Sequence, residues 1–231
     1  LNTIRHGNRV SCECSVSCIL GLQDLPNFSL PNFTLVSLRN ASSPQAMAYT
    51  WLENYNYLSL REMATWRKHQ LFALATFYYA FDGDTWPPKL RLKWLSDRDN
   101  ECNWTDVGES ILFGNPCHDD GKLWLLLLQN PDDKNESKSF LSGKMPAEIS
   151  LLSSLKSLVF SKVPFTRNLT DLIPEQMSTL AYLSDMKFDE CSVRGNITDR
   201  IVSSLPTTFS GPKREPINRN HSKSAWVTTQ T

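Results

Sequence analysis

Leu123-Trp124-Leu125-Leu126-Leu127-Leu128, Leu155-Lys156-Ser157-Leu158-Val159-Phe160 and Leu183-Ser184-Asp185-Met186-Lys187-Phe188 are three copies of one signature: an apolar residue, then two more at the third and fifth positions beyond it. Each copy leads into a second apolar cluster. The first is Leu141, Met145, Pro146, Ile149 and Leu152, the second Phe165, Ile173, Pro174, Met177 and Leu180, the third Val193, Ile197 and Ile201. The copies begin 32 and 28 residues apart, and the third, the tightest, projects a period of 24. Against that third copy the first carries an eight-residue insert within 131–140 and the second a four-residue one. Insertions that keep flanking apolar positions in register leave a stack as surface loops, so they are tolerated there.

In each copy the last two apolar residues alternate with a polar or variable one, which lets a short strand point two side chains inward and the others outward. One such unit cannot bury its apolar face alone, but stacked neighbours can. The stretch around Gly143 and Pro146, with the run Ile149, Leu152, Leu155, predicts a turn and a short helical return behind the strand. A single long amphipathic helix with accidental Leu spacing is the competing reading, and Pro146 and Pro174 interrupt it at matching points. The pattern resembles a leucine-rich repeat solenoid. The expected fold is α/β: about three repeats, parallel strands on the concave face, and a helical N-terminal cap.

The 231 residues allow one or two domains, and 40% hydrophobic content with 10% aromatics is enough for a core. Lys plus Arg and Asp plus Glu are 24 each, so the zero formal charge makes no case for nucleic acid or an anionic membrane. No run of eighteen apolar residues is present to span a bilayer. The chain opens on Leu1-Asn2-Thr3, without Met or a charged-then-apolar leader, so the compartment has to be argued from other residues. Asn-x-Ser/Thr sequons stand at Asn27, Asn32, Asn40, Asn103, Asn135, Asn168, Asn196 and Asn220. With 42 Ser and Thr and sixteen Asn, chance gives about three. The excess points to a glycosylated exterior.

Residues 1–42 read as an irregular linker. Cys12, Cys14 and Cys18 match no common zinc spacing; local or intermolecular disulfides are expected if the chain is exported, and a flexible stalk is the plainer expectation. Residues 43–120 read as a helical cap region: Ser43 caps a helix with Pro44 in first position, running through Tyr49, Trp51 and Leu52. A second helix, from about Arg61, sets Met63, Trp66, Leu74, Phe77, Tyr78 and Phe81 largely to one side and ends at Asp82-Gly83-Asp84. Such an aromatic stripe is core, and its natural partner is the open first coil of the repeats. Residues 121–205 hold the repeats, and 206–231, polar and without the apolar pattern, read as a disordered tail.

Between cap and repeats lie Gly83-Asp84-Thr85-Trp86, Trp94-Leu95-Ser96, Glu101-Cys102-Asn103-Trp104 and Cys117-His118-Asp119-Asp120-Gly121. This segment resembles the N-terminal cap of plant-type extracellular leucine-rich repeat proteins. With Ser43-Pro44-Gln45-Ala46 and Phe72-Ala73-Leu74-Ala75-Thr76-Phe77-Tyr78-Tyr79-Ala80, it is most similar to the diatom group of that family. The resemblance covers roughly residues 25–205. It implies a Cys102–Cys117 disulfide, strands whose outer surface binds a partner, and a membrane anchor elsewhere in a full-length receptor-like protein of which this is a fragment. The chain departs from the pattern: the repeat Asn is replaced at Pro131, Val163 and Cys191, Arg167 stands in a glycine place that Gly143 and Gly195 keep, and no fourth repeat follows near Thr207.

Catalytic signatures do not assemble. Gly114 to Gly121-Lys122 is too long for a phosphate loop, and Leu123 replaces the required hydroxyl residue. Neither a nucleophile elbow nor a kinase motif set occurs. Asp119-Asp120 and Asp132-Asp133 lack the alternation of a calcium loop, and His6, His69, His118 and His221 are scattered. No enzyme, cofactor or metal is expected. The ligand face is expected at the outward strand positions Leu125, Leu127, Gln129; Ser157, Val159, Ser161; and Asp185, Lys187, Asp189. Leu125 and Leu127, beside Trp124, are either an exposed anchor or covered by the cap. The functional expectation is an extracellular or cell-surface module binding a protein, peptide or glycan ligand. The alternatives are a structural cell-wall or adhesion protein, and an intracellular leucine-rich repeat scaffold.

Overall fold

Pro31 begins a helix where a linker is expected. The computed structural model describes residues 28–55, 57–91, 93–97, 99–104, 115–130, 143–163, 165, 172–189 and 191, and the backbone of 224–228. Helix α1 (Asn32–Leu38) buries Thr34 and Leu38, and Phe28, Leu30 and Leu35 pack beside them against the core. The expected irregular linker thus holds a docked helix over Asn32–Leu38, with coil and turn on either side of it. A seven-residue helix has too little apolar periodicity to announce itself, and its stability comes from docking.

Helix α2 (Pro44–Asn54) starts as its sequence predicts: Ser43 Oγ accepts from the Ala46 amide at 3.1 Å, and Pro44 fills the first position. The second expected helix is split into α3 (Tyr57–Glu62) and α4 (Thr65–Ala80), with Ala64 in extended backbone between them. Met63 and Ala64 are both good helix formers, so packing imposes the break; Met63 lies against the core. Along α4 every residue from Gln70 to Tyr78 is buried, as is Lys68. It is a central rod, not a one-sided amphipathic helix. On one flank lies α2, on the other a 3-10 turn at Ala147–Leu151.

Ring contacts show how this rod joins the cap to the repeats. Phe77 stacks on Phe160 with centroids 6.3 Å apart, and Phe81 meets Phe165 edge-on at 6.3 Å. Burying a phenylalanine such as Phe77 contributes on the order of 2–3 kcal/mol. Behind α4, past a 3-10 turn at Gly83–Thr85 and the short α5 (Pro88–Arg91), Trp86, Trp94, Trp104 and Trp51 form a chain of near-perpendicular or tilted contacts 5.1–6.0 Å apart. The Trp86 and Trp51 indoles donate to the carbonyls of Phe81 (2.8 Å) and Leu95 (3.2 Å). Those of Trp94 and Trp104 are buried with no hydrogen-bond acceptor among the described residues, and neighbouring rings surround them. Where the first repeat returns to α4, Gly143 passes so close that an added Cβ would sit 1.7 Å from the Ala80 carbonyl oxygen.

The three sequence copies form β1 (Leu125–Gln129), β2 (Ser157–Ser161) and β3 (Asp185–Asp189), paired parallel in one sheet. Register is set by the apolar pattern, since a one-residue slip would turn each inward row to the outside. Leu126, Leu158 and Met186 share one row, and Leu128, Phe160 and Phe188 the next, where Phe160 and Phe188 stack at 5.4 Å. Hydrogen bonds recur with the copies. The carbonyls of Pro116, Trp124 and Lys156 each accept from two successive amides, that of the residue just before a strand and that of its first residue: Trp124 and Leu125, Lys156 and Ser157, Ser184 and Asp185. Behind the sheet, Pro146 and Pro174 each open a 3-10 turn, Ala147–Leu151 and Glu175–Thr179. There the amides of Ile149, Leu152 and Leu155 repeat the bonds of Met177, Leu180 and Leu183.

Within the expected tail of 206–231, only 224–228 belong to the described residues. Residues 224–228 form β4 (Ser224–Thr228), antiparallel to β3 with Lys187 opposite Trp226. An open strand edge offers unpaired amides and carbonyls, and Ala225-Trp226-Val227-Thr228 is rich in strand-forming residues.

Candidate functional site

Alternation along β1 to β3 places the nine outward residues on one face, in three rows: Leu125, Ser157, Asp185; Leu127, Val159, Lys187; Gln129, Ser161, Asp189. The face divides into two zones. Leu125, Leu127 and Val159 are 2%, 5% and 4% exposed and form an apolar cluster of their own with Trp124, separate from the main core. Of the two expectations for Leu125 and Leu127, exposed anchor or covered, this burial fits the covered one. Alternation predicts which side of a sheet a residue faces, not what covers that side. Gln129, Ser157, Ser161, Asp185, Lys187 and Asp189 are half-buried.

Polar contacts fix that second zone. Ser184 Oγ donates to Asp185 Oδ2 at 2.7 Å, and the Lys187 ammonium lies 3.8 Å from Asp189 Oδ2. Just below, the Cys191 thiol lies 3.3 Å from the Phe160 carbonyl and 3.2 Å from the Asp189 carbonyl. The thiol thus donates to carbonyls of both β2 and β3. Cys191 is buried.

At the β1 end, Cys102 and Cys117 are joined by a disulfide with Cα atoms 5.7 Å apart. Cys117 also bridges to Leu123, so the bond fixes the start of the first copy. Beside it Trp124 donates its indole N–H to the Asn115 carbonyl at 2.9 Å, with the His118 ring 6.5 Å away. Lys122 lies over the Trp66 ring at 5.5 Å and donates to Asp120 Oδ2 at 2.6 Å, a bond that holds the Asp120 carboxyl below its ordinary range.

Two buried carboxylates, neither anticipated from sequence, tie the cap to these strands. Glu101, 1% exposed, accepts from Nε and Nη2 of Arg67, each at 2.9 Å, and from the Gln70 side-chain amide at 3.0 Å. Gln70 also donates to the Gly121 carbonyl and accepts from the Leu123 amide at 2.8 Å. The hydrogen bond to Glu101 raises the Arg67 pKa further, although burial opposes it. Glu148, also 1% exposed, accepts from Thr34 Oγ1 at 2.7 Å and from Gln45 Nε2 at 3.0 Å. These partners lie 34 and 114 residues away, beyond any local motif.

Of the sequons, Asn32, Asn40 and Asn103 are exposed, while Asn27, Asn135, Asn168, Asn196 and Asn220 lie outside the described residues, as do Cys12, Cys14 and Cys18. Among the described residues no three of His, Cys, Asp or Glu converge as metal ligands, and no helix is long and apolar enough to cross a membrane. Nothing positive indicates an enzyme activity. Comparison of the chain with protein-family models, curated proteins and solved structures finds no match.

Proposed function

We infer that this chain is the recognition part of a secreted or cell-surface leucine-rich repeat protein, a short α/β solenoid under a helical cap that binds a protein, peptide or glycan ligand without chemistry. What carries the reading is the register of β1, β2 and β3. It brings Ser157, Asp185, Lys187, Ser161, Asp189 and Gln129 onto one rigid, partly accessible surface of mixed charge. Strands hold such groups more firmly than loops do. The contact zone is this polar part, and the cluster of Leu125, Leu127 and Val159 supports it from the side. The Cys102–Cys117 bond and the exposed sequons at Asn32, Asn40 and Asn103 favour the oxidising exterior as the place of action.

The test is the full chain from a secretory host, immobilised and offered glycan and peptide arrays. A specific binder is expected, with affinity about tenfold lower or worse, roughly 1.4 kcal/mol or more, in an Asp185→Ala, Lys187→Ala double variant that keeps its circular dichroism. Binding indifferent to Asp185, Lys187 and Asp189 overturns the assignment of the face. A chain that recognises nothing on either array, and forms no Cys102–Cys117 bond in cells, overturns the reading itself.

A further inference from the structure

Two sequons are complete within the described residues, and the fold treats them oppositely. Asn40-Ala41-Ser42 stands on an exposed turn, with the Ser42 amide donating to Asn40 Oδ1 at 3.0 Å and the serine side chain open. In Asn32-Phe33-Thr34 the asparagine is exposed on α1, but Thr34 is 0% exposed and its hydroxyl is spent on Glu148. A sequon is recognised through its asparagine and its hydroxyl residue together. Glu148 also holds Gln45 of α2, so the covering residue clamps both cap helices to the 3-10 turn of the first repeat.

Sequence distance turns this cover into a clock. Glu148 lies 114 residues beyond Thr34 and does not exist when α1 leaves the ribosome. At about 5–20 residues per second, the sequon stays open for on the order of ten seconds before its lid is synthesised. Once α1 docks, the hydroxyl is closed, whereas the asparagine still points outward and has room for a glycan.

We propose that Asn32 is an N-glycosylation site open only on the nascent chain and shut by the Thr34–Glu148 contact, while Asn40 remains an acceptor in the folded protein. The donor is a lipid-diphosphate-linked oligosaccharide. The Asn32 amide nitrogen bonds to the anomeric carbon as the bond from that carbon to the phosphate oxygen breaks; the lipid diphosphate departs, and the amide proton passes to a base of the transferase. The proposal rests on the exterior reading above.

The experiment uses the full chain in three forms. It is expressed in a secretory eukaryotic host, with occupancy of each asparagine read by mass spectrometry after enzymatic deglycosylation in heavy-oxygen water. Unglycosylated chain is then offered to purified oligosaccharyltransferase and its lipid-linked donor, once folded with the Cys102–Cys117 bond formed and once reduced and unfolded. Both asparagines are expected to be occupied in cells, and both to be accepted in the unfolded chain. In the folded chain, acceptance at Asn32 should fall at least tenfold while Asn40 persists. Occupancy of Asn40 without Asn32 in cells overturns the proposal and leaves the exterior reading standing. So does a folded chain that accepts Asn32 as readily as the unfolded one, or that refuses Asn40 as well. Neither asparagine modified in cells sinks the exterior reading together with the proposal.

Discussion

Gly143 has no room for a side chain. Its Cβ position is 1.7 Å from a backbone oxygen of α4, which cannot swing aside as a flexible side chain would. Gly143→Ala should therefore lower stability by about 3 kcal/mol or more, read as a shift in the urea midpoint. Glu101 supplies a second residue-scale contrast. It is sealed, whereas Arg67 keeps about a third of its side chain in solvent (34%), so the two halves of the pair are not equivalent. Arg67→Met strands a buried carboxylate and should cost about 3 kcal/mol, the low end for a broken buried pair. Glu101→Gln keeps a hydrogen-bonding group in place and should cost about 1–2 kcal/mol in the same assay. The sequence makes Gly143 legible as a turn glycine but not as a contact. Glu101 and Glu148 give no signal at all, because their partners come from distant segments.

At the scale of elements, the disulfide and α4 carry separate predictions. The Cys102–Cys117 bond spans 15 residues, a loop whose closure is worth about 3 kcal/mol, so the Cys102→Ser, Cys117→Ser double variant should lose about that much. The α4 residue Tyr78 donates its hydroxyl to Asp84 Oδ1 at 2.8 Å; burial first, then this bond, pushes its pKa above the usual 10.0. The folded chain thus keeps a proton that the unfolded chain releases. This contribution is whole below pH 10 and is lost as the pH rises above it. Tyr55 and Tyr79 are raised too and act with the same sign. Denaturation midpoints should decline above pH 10, less steeply in Tyr78→Phe. The strands were legible because each copy carries an alternating triad that fixes length and facing at once. Helix α1 and strand β4 were not, for each is a single short segment whose order depends on what it docks against.

Across the whole molecule, one core runs from α1 through α4 to β3, and β4 closes the sheet beyond it. Removing residues 206–231 should bare the β3 edge and promote self-association, seen as a concentration-dependent rise in sedimentation coefficient. A truncated chain that stays monomeric at every concentration would argue against β4 as the cover of that edge. The division between a sealed apolar zone and a polar zone on the outward face was beyond the reach of sequence, since Leu125, Leu127 and Val159 satisfy the same alternation as Ser157 and Asp185. The indoles of Trp94 and Trp104, buried among other rings, have a consequence for watching this protein at work. Their fluorescence should be blue-shifted in the intact cap and move to longer wavelength when water enters. Trp124, at the head of the sheet, is half-open already. Emission colour alone, with no label attached, can then report whether cap and strands come apart together or in turn.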